Sequence, residues 1–135
     1  MSTLFDKLNL KDQREILVVN APAAFEAELL ALTDVAVVRD PGKLKAVRFA
    51  LAFATAQAEV DRLAKLLSAK AEGDALLWFA YPKGTSKKYQ CDFNRDTGWS
   101  VLKSAGFDTV RAVAIDEDWS ALRFRRVEYI KSGNR

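Results

Sequence analysis

An α/β fold built on a mostly parallel, six-stranded sheet is predicted by three features of this 135-residue sequence. Short β-branched-rich apolar runs recur along the chain, stretches with apolar residues at helical spacing separate them, and the last two runs are joined only by Asp116-Glu117-Asp118-Trp119. Runs without polar alternation suit strands covered on both faces. Alternating strands and helices imply right-handed crossovers and a parallel sheet between helical layers, and the short final connection implies a hairpin that adds one antiparallel strand.

The elements follow in order. Residues Met1–Glu15 read as a polar, partly helical lead-in. Ile16–Val19 is the first strand, stopped at Asn20-Ala21-Pro22, where Pro22 suits the first turn of a helix. That helix is predicted over Ala23–Leu32, with Phe25, Leu29 and Leu32 toward the sheet. Val35–Val38 is the second strand, Asp40-Pro41-Gly42 a turn, and Val47–Ala54, apolar apart from Arg48, the third strand. Gln57–Ala71 has the clearest helical stripe (Val60, Leu63, Ala64, Leu67), with Glu59, Asp61, Arg62 and Lys65 facing water. Asp61 and Lys65 are spaced for an ion pair worth a few tenths of a kcal/mol. Gly73-Asp74 is expected to end this helix before a fourth strand at Ala75–Ala80. A polar loop runs from Pro82 to Gln90, Thr97–Ser104 is a helix closed by Gly106, and Val110–Ile115 and Ala121–Ile130 are the hairpin strands.

Length suits a single domain over 1–135, with 1–14 as lead-in and 131–135 as a flexible tail. Apolar stretches such as Phe49–Ala54 and Ala75–Tyr81 fall well short of the roughly 20 residues that span a bilayer, so no membrane association is expected. No basic-then-apolar leader opens the sequence, and the one cysteine, Cys91, has no internal partner; both point to the cytoplasm. The sequence has no histidine, which excludes Ser-His and Cys-His nucleophilic systems and most zinc sites. A net charge of +3 permits an anionic partner without requiring one.

Three segments carry a family resemblance: Ile16–Pro22, a strand ending in Asn-Ala-Pro; Leu77–Lys83, Leu-Trp-Phe-Ala-Tyr-Pro-Lys; and Ala114–Phe124, Ala-Ile-Asp-Glu-Asp-Trp-Ser-Ala-Leu-Arg-Phe. Together they resemble an uncharacterised bacterial family of small domains of unknown function, over about Leu8 to Ile130. The sequence also looks like a shortened class I methyltransferase, a Rossmann-like domain. That resemblance implies the strand order 2-1-3-4-6-5 with strand 6 antiparallel, and S-adenosylmethionine as the alternative to having no cofactor. The sequence departs from the methyltransferase pattern after the first strand. Asn20-Ala21-Pro22-Ala23 stands where a glycine-rich loop lets the backbone approach the cofactor, and the nearest acid after strand 2, Asp40, lies two residues beyond Val38.

In open α/β sheets ligands bind beyond the carboxyl ends of the strands, where strand order reverses. The predicted topology brings Asn20–Ala23, Pro82–Gln90 and Asp116–Trp119 to that rim. Pro82-Lys83-Gly84-Thr85-Ser86-Lys87-Lys88 reads either as an anion-holding loop or as a solvated one, and lacks the spacing of a phosphate-binding P-loop. Asp116-Glu117-Asp118 reads as a magnesium ligand set, as a partner for Lys83, or as an ordinary acidic turn. Trp119 is a lid or a plug, with packing favoured, and Trp78 is core. Asn20 reads first as a turn former. Cys91, near Lys87, Lys88 and Arg95, reads as a buried thiol rather than a reactive one. Arg123, Arg125 and Arg126, with Lys131 and Arg135, read as solvated positions or a weak surface for an acidic partner. Tyr89 and Phe93 are too few for a nucleic-acid stacking platform.

The leading reading is a non-catalytic binding or interaction domain with no metal, holding a small anionic ligand through Asn20, Pro22, Lys83, Lys87, Lys88, Asp116, Asp118 and Trp119. A divergent S-adenosylmethionine-dependent methyltransferase or another carboxylate-and-lysine enzyme is the alternative. Weak nucleic-acid binding comes third. Self-association or a protein partner stays open.

Overall fold

The computed structural model describes residues 4–10, 13–32, 34–87, 89 and 98–130. It contains β1 (Glu15–Val19), α2 (Glu26–Leu30) after a 3-10 turn at Ala23–Phe25, β2 (Ala36–Val38), β3 (Val47–Phe53), α3 (Gln57–Lys70), β4 (Ala71–Pro82), α4 (Ser100–Ser104), β5 (Phe107–Ala114) and β6 (Trp119–Arg126), preceded by a short α1 (Leu4–Lys7). The sheet order is β2-β1-β3-β4-β6-β5, with β6 antiparallel to both of its neighbours, as predicted.

The central strands alternate between two cores. Ala50 and Ala52 of β3 and Leu77, Phe79 and Tyr81 of β4 face a layer formed by Val60, Leu63, Ala64 and Leu67 of α3 and by Trp99 and Leu102 at α4. The predicted α3 stripe is thus the buried one. Each fully buried valine or leucine contributes roughly 1.5–3 kcal/mol of transfer free energy. On the other face, Phe49, Leu51, Phe53, Leu76 and Trp78 are covered by Phe25 and Leu29 and by Phe5 and Leu8.

Several boundaries differ from the sequence reading, each for a physical reason. The predicted helix over Ala23–Leu32 is a 3-10 turn followed by five α-helical residues. Gly73 does not end α3. The helix stops at Lys70 and β4 starts at once, with Gly73 at φ +58° inside an irregular pairing with β3. Glycine meets that left-handed geometry without strain. The Arg126 guanidinium holds the irregular stretch from across the sheet, donating to Ala71 O at 2.6 Å and Gly73 O at 3.2 Å. Asp61 accepts a hydrogen bond from Gln57 at 2.8 Å rather than an ion pair from Lys65. β5 begins three residues earlier than predicted, because Gly106 (φ +93°) turns the chain straight out of α4. β6 stops at Arg126, where Val127–Tyr129 forms a 3-10 turn instead of more strand.

The lead-in is partly helical, as expected, and its apolar residues add to the core. Phe5 and Leu8 are buried, Phe5 packs on the rings of Phe25 and Phe49, and the Trp78 indole N–H donates to Leu8 O at 2.9 Å. The segment therefore caps one core. Leu8→Ala should cost roughly 2–4 kcal/mol in urea unfolding. A loss under about 1 kcal/mol would show that the segment contributes little to the core.

Candidate functional site

Strands β1, β2, β3, β4 and β5 run in one direction, so their carboxyl ends share a rim. Strand order reverses between β1 and β3. There the chain leaves β1 through Asn20, which adopts φ +60°. Asparagine enters the left-handed region more readily than other side-chain-bearing residues. Asn20 thus makes the backbone step that the sequence lacked a glycine for. Its amide Nδ2 donates to Phe53 O at 3.4 Å, a long bond that ties this turn to the end of β3. Pro22 stands extended before the 3-10 turn, and its carbonyl accepts from Phe25 N at 2.9 Å.

Beyond β2, the Asp40 Oδ1 accepts the Gly42 amide at 2.9 Å, while Oδ2 has no hydrogen-bond partner among the described residues. Arg39 forks onto Glu26 at 2.7 and 2.8 Å, joining β2 to α2. Those hydrogen bonds hold the Glu26 carboxyl below its usual range, against an opposing effect of burial.

At the other half of the rim, the loop after β4 meets the hairpin turn. Lys83 N donates to Asp118 O at 2.8 Å, and Ser86 Oγ donates to Asp118 Oδ1 at 2.9 Å. Asp118 is therefore engaged by Ser86, not by the Lys83 side chain. Asp116 Oδ1 accepts the amides of Asp118 (2.8 Å) and Trp119 (2.9 Å), a local turn bond that shapes the hairpin. With Asp116 and Asp118 engaged in this way, the magnesium reading finds no support. Among the described residues no three carboxylate, cysteine or histidine groups converge to hold a metal. Trp119 is 4% exposed and wedged between Phe53 and Tyr89, with ring centroids 5.1 and 4.9 Å away. It plugs the sheet end; it is not a lid. Lys83 is half-buried and Lys87 exposed. Lys88, Cys91, Phe93 and Arg95 lie outside the described residues.

The fold thus gathers Asn20, Pro22, Lys83, Asp116, Asp118 and Trp119 at one rim, but in two clusters. Asn20, Pro22 and Asp40 flank the switch point; Lys83, Ser86, Asp116 and Asp118 form a hydrogen-bonded corner under Trp119.

The opposite rim holds a feature the sequence reading missed. A cleft of about 680 Å³ opens at the amino ends of β1, β3 and β4, lined by Arg14, Glu15, Arg48, Phe49, Glu72 and Asp74 among others. Its one sequence signal is Arg48, the polar residue interrupting the third strand, which pairs with Glu72 at 3.0 Å. Asp74 also leads to the hairpin arginines, where it receives a bidentate Arg125 fork at 2.8 and 2.6 Å. That hydrogen bonding holds the Asp74 carboxyl below its ordinary value, against an opposing burial effect. The hairpin arginines are not merely solvated: Arg126 also lies over the Phe107 ring at 5.0 Å, and Arg123 is half-buried.

No protein-family model and no curated protein matches the sequence. Solved structures do match the fold. A SAM-dependent methyltransferase from Aquifex aeolicus aligns with a TM-score of 0.63 at 15% identity, over 91% of this chain and 87% of that one. The N-methyltransferase NodS from Bradyrhizobium japonicum aligns with a TM-score of 0.56 at 12% identity, over 91% and 92%. The magnesium protoporphyrin IX methyltransferase from Synechocystis, with bound SAH, aligns with a TM-score of 0.58 at 12% identity, over 91% and 78%. The fold is methyltransferase-like and Rossmann-type. Among the described residues no helix is long and apolar enough to cross a membrane.

Two expectations follow from this geometry. Asn20→Gly should leave stability within about 0.5 kcal/mol of the parent, whereas Asn20→Val should cost about 1–2 kcal/mol, since a β-branched residue resists positive φ. Equal losses in denaturant unfolding would place Asn20 outside the left-handed region. For Asp74, a depressed folded pKa means stability present above about pH 4 and lost as pH falls through the folded value. Asp74→Asn should therefore show a shallower fall in stability on acidification than the parent. An unchanged acid limb would mean that the Arg125 pair is too solvent-screened to matter.

Proposed function

We propose that this chain is a divergent adenosyl-binding domain of the methyltransferase type, taking S-adenosylmethionine at the carboxyl rim where β1 and β3 diverge. One observation carries the reading: at the switch point of a sheet that aligns with methyltransferases over 91% of the chain, Asn20 makes the left-handed step normally left to glycine. The residues present fit an adenosyl compound at two points. The Asn20 turn folds the chain away from the strand end, and the Asp40 Oδ2 remains available to accept a hydroxyl. The fit is thinner than a glycine-rich loop would allow, because Pro22 offers no backbone donor.

When bound, S-adenosylmethionine supplies an activated methyl group, and the protein's share is to bind and align it. Such work needs no histidine nucleophile, in keeping with the composition. Asp40 serves as a hydroxyl acceptor and Asn20 shapes the floor. The Phe53–Trp119–Tyr89 wedge closes the sheet end against water.

A second reading, a non-catalytic domain that holds a small anion at the Lys83 corner, is favoured by one observation. The Lys83 amide and Ser86 anchor the loop after β4 to Asp118, which fixes the backbone at Lys83 on the rim.

Thermal unfolding against S-adenosylmethionine and its demethylated product separates the two. A ligand at about 100 times its Kd adds about 2.7 kcal/mol, enough to raise the midpoint by several degrees. Either adenosyl compound should do so, and Asp40→Asn should weaken its binding about tenfold or more, corresponding to a lost hydrogen bond of about 1.4 kcal/mol or more. No shift with either compound, alongside an anion response that Lys83→Ala removes, would favour the second reading.

A further inference from the structure

Away from the carboxyl rim, the β4–β6–β5 face carries a charge arrangement that folding alone does not explain. Arg111 and Arg123 are direct partners across the β5–β6 ladder. Val113 and Ala121, paired two residues further along and therefore on the same face, lie in the core under it, so both arginines project from that face. Arg125 follows two residues after Arg123 on the same side of the strand. Like charges placed opposite one another in a sheet are destabilising. Asp74 is the carboxylate at hand, and its two oxygens already receive the Arg125 fork.

Arg123 is left over. Its Nε is buried and has no hydrogen-bond partner, the one such side-chain atom among the described residues. A buried donor without an acceptor is a cost that native structures seldom keep. Arg126, by contrast, spends its Nε and an Nη on the β4 carbonyls. The neighbouring charges also bear on Arg123: burial first, then Arg125 and Arg111 push its pKa down against an upward pull from Asp74.

We infer that Arg123, flanked by Arg111 and Arg125, forms an oxyanion site for a phosphate or carboxylate group, separate from the carboxyl rim. An oxyanion accepts from the orphaned Nε, offsets the Arg111–Arg123 repulsion, and matches the planar donor fork of a guanidinium. Asp74, beside Arg125, is also a wall of the amino-end cleft, so a ligand larger than its anionic group has room to continue there.

The test is thermal unfolding and calorimetric titration of the full chain with inorganic phosphate, pyrophosphate and citrate, against sodium chloride at matched ionic strength. Phosphate-type or carboxylate-type recognition is read from which probe binds more tightly. At least one should raise the melting midpoint by several degrees, and Arg123→Gln should weaken its binding tenfold or more. Arg123→Lys should recover only part of the loss, because an ammonium cannot reproduce the fork. Should Arg123→Gln fold poorly, Arg111→Gln, at an exposed position, should also weaken the same probe severalfold, and Lys83→Ala should leave it unchanged. No stabilisation beyond chloride by any probe overturns the site. So does equal binding in the parent, Arg123→Gln and Arg111→Gln, or loss only with Lys83→Ala.

Discussion

Much of this structure depends on β6 running antiparallel between β4 and β5. Leu77 to Pro82 pair with Phe124 to Trp119, so one continuous ladder runs from the carboxyl rim into the middle of the sheet. Alternation along β6 sends Leu122 and Phe124 into the core under α3 and Trp119 and Ala121 into the core under α2. The antiparallel direction of β6 puts Trp119 at the carboxyl rim and the arginines toward the amino ends. A one-residue slip would exchange the two faces and bury Arg123 and Arg125 with α3.

Around that ladder the two rims have different chemistry. The carboxyl rim is organised by backbone and short side chains. Asn20 turns the chain, Asp116 shapes the hairpin, and Ser86 joins the loop after β4 to Asp118. Beneath these, Phe25, Phe53, Trp119 and Tyr89 form a run of aromatic contacts at 4.9–5.1 Å that supports the sheet ends. The amino side is organised by ion pairs and arginine–carbonyl bonds, among them Arg48–Glu72, Arg125–Asp74 and Arg126 on the start of β4. Exposed pairs of this kind contribute little to stability individually. Their consequence here is positional, since they set the walls of the cleft and leave Arg123, among the described residues, with a buried donor to spare.

The methyltransferase-like architecture and the departure from its glycine-rich loop are reconciled at Asn20. The sheet needs a left-handed step where β1 ends, and it needs no particular residue to supply it. Asparagine serves because its short polar side chain tolerates positive φ and can bond locally, here to Phe53 O. The scaffold is therefore preserved by a different residue, while the close backbone approach that glycine also permits is reduced by the Cβ of Asn20 and the ring of Pro22.

The α3 stripe and the closing hairpin were legible in the sequence, because each rests on local patterning: a 3.6-residue apolar period and a connection too short for a crossover. The placement of Trp78 in the core and the departure of the chain at Asn20-Ala21-Pro22 were legible for the same reason. The strand order and the insertion of β6 between β4 and β5 were instead what the resemblance to a shortened class I methyltransferase implied. What local pattern does not contain is which groups meet across the sheet. The lead-in looked polar by composition, yet Phe5 and Leu8 are buried because a bare patch on β3 and β4 needed cover. Asp118 bonds Ser86 and not the Lys83 side chain, and Arg123 faces Arg111, because registers between distant strands set those neighbours. The sequence by itself determined the periodicity of burial along each element. Only the tertiary structure decided which buried polar side-chain atoms found partners and which one among the described residues, Arg123 Nε, did not, since pairing across strands depends on a register that local residues do not encode.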